Sequence, residues 1–309
     1  MEQIENKIKF GEGFKRKFTS FHDKNYKKLL IVPIILIVLG FVYMFSFYHQ
    51  TGDFFYKDIS LSGGTSVTIN NGNISYVELK NAISDKLEDV NTREVSDLIT
   101  RQGIAVIIET KSDEPQTRKV LESYLGYNLT KENSSFEFTG SSLGGDFYKQ
   151  LLFSVLIAFV LMSIVVFIQF KTLVPSIAVI FSAFADIFLS LVLINILGIK
   201  ISGAGIVAFL MLIGYSVDTD ILLTNKVLRR EGKSLNRKIM ESFKTGITMT
   251  LTALLSVSLS LVLVGSLSPI LHQIFLILLI GLCFDILNTW LTNVSIIKWY
   301  ATKKNENKH

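Results

Sequence analysis

The chain is short of cysteine and short of charge, and each shortage closes off a class of protein. Its single cysteine, Cys283, falls inside a long apolar run, which excludes an intramolecular disulfide framework and any cysteine-based zinc site. Whatever faces the outside folds without bridges. Only 18% of the 309 residues are charged, against 49% apolar and a mean hydropathy of +0.44, a balance outside the ordinary soluble range. A soluble globule of this length would scatter its apolar residues at helical or strand periods. Here they lie in unbroken runs meant for lipid. The net charge of +5 is too modest to point to nucleic acid, so the placement of the charges matters more than their sum.

Runs long enough to cross a bilayer, about 20 residues, occur six times: 29–48, 151–170, 174–197, 201–223, 247–266 and 271–297. The first follows 28 residues rich in charge and has no small-residue cleavage site, so it is expected to stay as an anchor. Basic residues mark cytoplasmic flanks. They gather before the first run (Lys7, Lys9, Lys15, Arg16, Lys17, Lys24, Lys27, Lys28), after the fourth (Lys226, Arg229, Arg230, Lys233, Arg237, Lys238, Lys244) and after the sixth (Lys298, Lys303, Lys304, Lys308). The turn GSLSP between runs five and six has none, and Lys200 alone dissents. The pattern predicts a multi-pass protein of the cytoplasmic membrane with both termini in the cytoplasm. It has a basic N-terminus (1–28), a first span (29–48), an exported domain (49–150), five further spans within 151–297 with a cytoplasmic loop at 225–246, and a tail at 298–309. The basic loop suits lipid headgroups or a channel subunit, although topology already accounts for its charge.

Within the exported segment the pattern turns to short alternating and helical stretches. TSVTIN (65–70) alternates like a strand, and SYVELKNAISDKLEDV (75–90) has helical spacing behind a Ser75 N-cap. REVSDLIT and IAVIIET flank RQG as a hairpin, DEPQTRKVLESYLG (113–126) forms a second helix ending at Gly126, and SSFEFTG (134–140) a last strand. The order β-α-β-β-α-β is that of a ferredoxin-like α+β domain, with its second sheet face and edges left for contacts. Gly63 and Gly64 bring backbone close either to a partner or within a turn, and SSLGGDFYKQ is a hinge or a plain linker. There is no metal-ligand cluster, no nucleophile beside a histidine and no phosphate loop, so no cofactor, metal or enzymatic chemistry is expected.

The candidate functional residues are carboxylates inside the apolar runs, since ionised groups at membrane depth cost several kcal/mol and face a polar interior. Asp186 lies in the third run, Asp218 and Asp220 in the fourth and Asp285 in the sixth, with no Lys or Arg accompanying them in the core. Such carboxyls are expected to be wholly or partly protonated, as a proton relay requires; the alternatives are a cation site or protonated structural pins. Asp218 and Asp220 are about 200° apart around a helix, so one is the relay and the other its partner or a boundary residue. Ser216 precedes Asp220 by one turn, and Thr245, Thr248 and Thr252 form a hydroxyl face on the fifth span that either carries water or bonds back to its own helix. Lys244 is a snorkelling residue or a charge partner, Asn288 and Asn293 suit interhelical hydrogen bonds, and His272 near the outer surface has no proton role.

The motifs DISLSGGTSV, GYSVDTDILLTNKVLRR, KTGITMTLT and GLCFDILNTW, in this order around six spans and one exported domain, resemble the SecF family of the Sec protein-export machinery, its archaeal branch above all. The resemblance implies an RND-like membrane half that pairs with a six-span SecD subunit beside the SecY channel, with the exported domains holding or pulling the unfolded polypeptide. It also implies proton flow through a fourth-span carboxylate and a fifth-span arginine. The bacterial motif GYSIND sets its Asp opposite Thr219, between Asp218 and Asp220, whereas the SecD-type GFAVDAN matches Asp218; Lys244 stands at the arginine position. Lysine keeps the charge and loses the planar fork. Three functions follow as expectations: a proton-driven export subunit with Asp218, Asp220, Asp186, Asp285, Lys244 and Thr248 as its relay, an RND-like small-molecule or lipid transporter, or a non-motor scaffold of the translocon.

Overall fold

The computed structural model describes residues 25–96, 100, 102–229, 234–264 and 268–306. The basic residues from Lys7 to Lys24, Arg230, Lys233 and Lys308, the part of the expected hairpin at 97–99 and Arg101, and most of the GSLSP turn lie outside them.

The six apolar runs are helices: α1 Ile31–Thr51, then, after the inserted domain, α5 Ser141–Phe170, α6 Leu173–Ile196, α7 Gly203–Leu228, α8 Leu235–Val264 and α9 Pro269–Asn288. A π turn, Thr289–Asn293, carries α9 into α10 Val294–Glu306, so the sixth span is one continuous helical rod. All six are long and apolar enough to cross a membrane. The scarcity of proline serves them. Pro33, Pro175 and Pro269 each lie in a first turn, where a missing N–H costs nothing. Burial ranks the helices: 56% of the apolar window of α6 and of α7 is buried, against 6% for α5 and α8. Thus α6 and α7, with α9 packed on both, form the centre of the layer.

Between α1 and α5 lie α2 (Ile59–Ser62), β1 (Gly64–Ile69), α3 (Tyr76–Ile83), β2 (Asn91–Ser96), β3 (Gly103–Thr110), α4 (Glu114–Leu125) and β4 (Ser134–Thr139). The sheet is antiparallel in the order β2-β3-β1-β4, the ferredoxin-like arrangement. Val67 faces Ile108 on one side and Phe136 on the other, and this register turns Val67, Ile69, Val106 and Ile108 onto Leu79, Ile83 and Leu121 of the two helices. Ser75 caps α3 and Asp113 caps α4, while Gly126 closes α4 in the left-handed region at φ +77°. The second sheet face is less open than its alternation suggests, because Ala105, Ile107 and Glu109 are buried as well.

The domain is seated on the helices through main chain. Lys57 and Ile201 form a single parallel bridge: Asp58 N donates to Ile201 O at 2.9 Å and Ile201 N to Tyr56 O at 2.7 Å. Lys200 adds an ion pair to Asp89 at 2.8 Å. Two expectations change here. SSLGGDFYKQ is neither hinge nor linker; it is the opening of α5, continuous with the span. Gly63 and Gly64 are buried and used internally: at φ +82° and +140°, a Cβ on them would stand 2.4 Å from Ser141 Cα and 2.3 Å from Thr110 O. They let the first strand pass against α5 and β3, and their backbone is closed to a partner.

Candidate functional site: a buried carboxyl network

Each central helix turns one polar row inward at i, i+4 spacing. On α6 the row is Ser182, Asp186 and Ser190; on α7 it is Ser216, Asp220 and Thr224, all buried. On the third rod Asp285 and Thr289 continue the row, and the π turn widens the helix so that Asn288, Thr289, Thr292 and Asn293 are all buried together. Such turns insert a residue into the helix and often mark functional positions.

The rows meet. Asp186 accepts from Asn288 Nδ2 at 2.6 Å through Oδ1 and from the Ser216 hydroxyl through Oδ2. Asp220 Oδ1 accepts from Thr289 Oγ1 at 2.9 Å and from Asn293 Nδ2 at 2.8 Å. Asp285 lies within reach of the same Thr289 hydroxyl, 3.2 Å away, and of Thr250 Oγ1 of α8 at 3.4 Å. A threonine hydroxyl has one proton to give. Thr289 therefore donates to one of Asp220 and Asp285, and its hydrogen bond to the other needs a proton on that carboxyl. Carboxyl, hydroxyl, carboxyl is a chain through which one proton changes owner by small moves. Among the described residues no Lys or Arg acts on any of the three carboxyls. Asp220 Oδ2, Ser182 Oγ and Asn293 Oδ1 are buried there without a hydrogen-bond partner among the described residues.

The expected site is thus divided. Asp186, Asp220 and Asp285 come together; Asp218 does not. Two residues earlier on α7, it faces outward and is exposed, as the helical angle requires, with no hydrogen bond or ion pair among the described residues. Lys244 and Thr248 are exposed on the outer face of α8, away from the carboxyls. Thr245, Thr248 and Thr252 bond back to the carbonyls of Glu241, Lys244 and Thr248, which is the structural alternative for that hydroxyl face. Asp218 thus shares the outer surface with an i, i+4 row of Lys244, Thr248, Thr252 and Ser256. Part of that row, with Tyr215, lines a groove of about 480 Å³. Sequence reasoning missed Thr289, Thr250 and Ser182 as members of the network. The polar run NTWLTN inside an apolar stretch was the one signal for Thr289.

A second charged group lies where the domain meets the helices. Arg93 pairs with the buried Glu109 at 2.7 Å, and Asp58 and Lys200 line the same cavity of about 580 Å³. Burial pushes Asp58 and Glu109 above the usual carboxylate range, and repulsion from Asp58 adds to the shift of Glu109. Asp89 is also penalised by burial, but its bonds to Lys200 and Lys111 outweigh that and hold it below the usual range.

Comparison with known proteins places this architecture. Residues 119–303 match the family described as protein export membrane protein SecD/SecF, C-terminal. The protein-export membrane protein SecF of Methanocaldococcus jannaschii is 37% identical over 91% of this chain and 97% of its own length. That of Pyrococcus furiosus is 32% identical over 98% and 99%. The crystal structure of SecDF, a translocon-associated membrane protein from Thermus thermophilus, superposes with a TM-score of 0.68 at 18% identity, over 90% of this chain and 38% of that longer one.

Proposed function

Since the chain belongs to the SecF family of protein-export membrane proteins, we propose that it is the smaller six-span partner of a SecD-type subunit, and that it couples a proton gradient to export through Asp220 and Asp285, with Asp186 holding the helices together beside them. The observation that carries the coupling is the Thr289 bridge, a single hydroxyl between two buried carboxyls on which no Lys or Arg acts among the described residues. A group that only pinned helices together would be served as well by amides. A chain of carboxyls and hydroxyls also passes protons.

The partner reading rests on Asp218. An unpartnered carboxyl on the outward face of a spanning helix is costly against lipid, so this face, with the Thr248 row beside it, is covered by a second set of helices. The basic end of the layer, with Lys226, Arg229, Lys303 and Lys304, belongs in the cytoplasm and the ferredoxin-like domain outside. There the domain meets the unfolded chain leaving the SecY channel, through its sheet edges. A scaffold role is favoured by one observation, the complete pairing of Asp186, which makes that residue the structural member of the three.

The test is export into vesicles carrying the subunit with its partner, with and without an imposed proton gradient. Asp220→Asn keeps the shape and the bond to Thr289, so assembly is expected to survive and the gradient-dependent part of export to vanish. Full gradient dependence in Asp220→Asn,Asp285→Asn would overturn the coupling and leave the scaffold.

A further inference from the structure

On α6, α7 and the third rod, polar groups around the three carboxyls continue toward one end of the helices and thin out toward the other, while α8 carries hydroxyls there on its exposed and half-buried faces, at Thr252, Ser256, Ser258 and Ser260. Toward the domain, α7 runs from Ser202 to Ser216 with one intervening hydroxyl, Tyr215, which is exposed. That is about 20 Å of helix. The third rod is equally bare from Gln273 to Asp285, apart from the outward-facing Cys283. On α6 the stretch from Asp186 to Asn195, whose Oδ1 accepts from Tyr56 N, holds one hydroxyl, Ser190, which donates to the backbone carbonyl of Asp186. Ile194, Ile206, Phe209, Leu212, Ile277 and Leu278 fill the space, each no more than 5% exposed.

The course of this layer next to the carboxyls is one contact. Leu212 stands one turn before Ser216, and Gly281 one turn before Asp285. A Cβ on Gly281 would lie 2.4 Å from Leu212 Cδ2, so the leucine fills the place a side chain would take. Toward the basic end the opposite holds. Asn293 reaches Asp220 and Thr224, and Thr292, Ser295 and Lys298 follow, all buried, at steps of one turn or less.

We propose that Leu212, seated against Gly281, is the seal that closes the carboxyl network to the domain side, and that the buried polar groups Thr289, Asn293 and Thr224 make the basic, cytoplasmic side the one with which the network exchanges protons in this state. The inference rests on the relay reading above. Protons move along hydrogen-bonding groups and water, and an apolar constriction stops them by excluding water. A closed outer seal with a polar inner ladder is one half of an alternating path.

The experiment reconstitutes the subunit with its co-purified partner in liposomes containing a pH dye. Leu212→Ser is expected to raise passive proton conductance by roughly tenfold or more, and Leu212→Ser,Asp220→Asn to return it to the original level. An unchanged conductance in Leu212→Ser, where Asp220→Asn still abolishes gradient-driven export, would overturn the seal alone. A leak that persists in the double variant would overturn the relay reading instead. A second measurement needs no proton flow. In a Cys283→Ala background, Thr224→Cys, set among polar groups, is expected to react faster with a small neutral thiol reagent supplied from the basic side than Ile206→Cys, set in the apolar layer, does with the same reagent from the domain side. Equal reaction of the two would overturn the sidedness.

Discussion

Glu109 and Asp220 are both buried carboxyls, and the chain treats them in opposite ways. In the domain, Glu109 has an arginine at 2.7 Å and an amide, Asn91 Nδ2, at 3.4 Å. In the helical layer, Asp220 has a hydroxyl, an amide and one oxygen without a partner. A fixed countercharge offsets part of the rise in proton affinity that burial imposes on a carboxylate such as Glu109. Neutral donors stabilise either state and leave the proton free to move. The domain uses its buried charge to tie β2 to β3 within the sheet, whereas the carboxyls of the helical layer are met by neutral groups alone among the described residues.

Thr289→Val breaks that contrast most sharply. It removes the hydroxyl shared by Asp220 and Asp285 and should abolish gradient-dependent export, while Thr289→Ser keeps it; a vesicle export assay with both variants decides the matter. Asp218→Asn comes next, and it compares the two faces of α7. Loss of the outward carboxyl should weaken recovery of the larger partner in a detergent pull-down, which Asp220→Asn should leave intact. In the domain, Glu109→Gln leaves Arg93 without its partner. Because Arg93 is 42% exposed, a loss of only about 1 kcal/mol of domain stability is expected, read as a lower thermal midpoint with gradient coupling preserved.

The smallest effect is one of pH on the junction. Asp58 and Glu109, raised by burial, bind protons more tightly when the domain is seated, so seating strengthens as pH falls from their raised values toward the ordinary carboxylate range. Asp89, held low by Lys200 and Lys111, works in the other direction: its contribution is complete above the ordinary range and is lost as pH falls through its lowered value. Amide protection at Ile201 and Asp58, corrected for intrinsic exchange, should therefore pass through a maximum in mild acid. A protection that only declines with acid would remove Asp58 and Glu109 from the account.

The spans were legible because a helix that crosses lipid must be long and apolar, and the βαββαβ order because Ser75, Asp113 and Gly126 punctuate it in chemical terms. The separation of Asp218 from Asp220 followed from helical angle alone. Which of them faces inward did not, since both faces of α7 are apolar and only packing against α6 and α9 tells them apart. Thr289 was hidden by the π turn, which breaks the period on which any assignment of faces relies. The opening of α5 was misjudged because Gly144 and Gly145 suggest a linker, whereas Gly144 is there to let Gly63 approach: a Cβ would stand 2.8 Å from its nitrogen.

The bridge between Lys57 and Ile201 has a consequence for how such a protein changes over time. Its bonds are peptide groups, common to every residue but proline, so substitutions on either side leave the joint standing. The outer domain is in that sense a replaceable head on a fixed mount. Its surface can change residue by residue, while the helices beneath, where Thr289 meets Asp220 and Gly281 leaves room for Leu212, have less freedom.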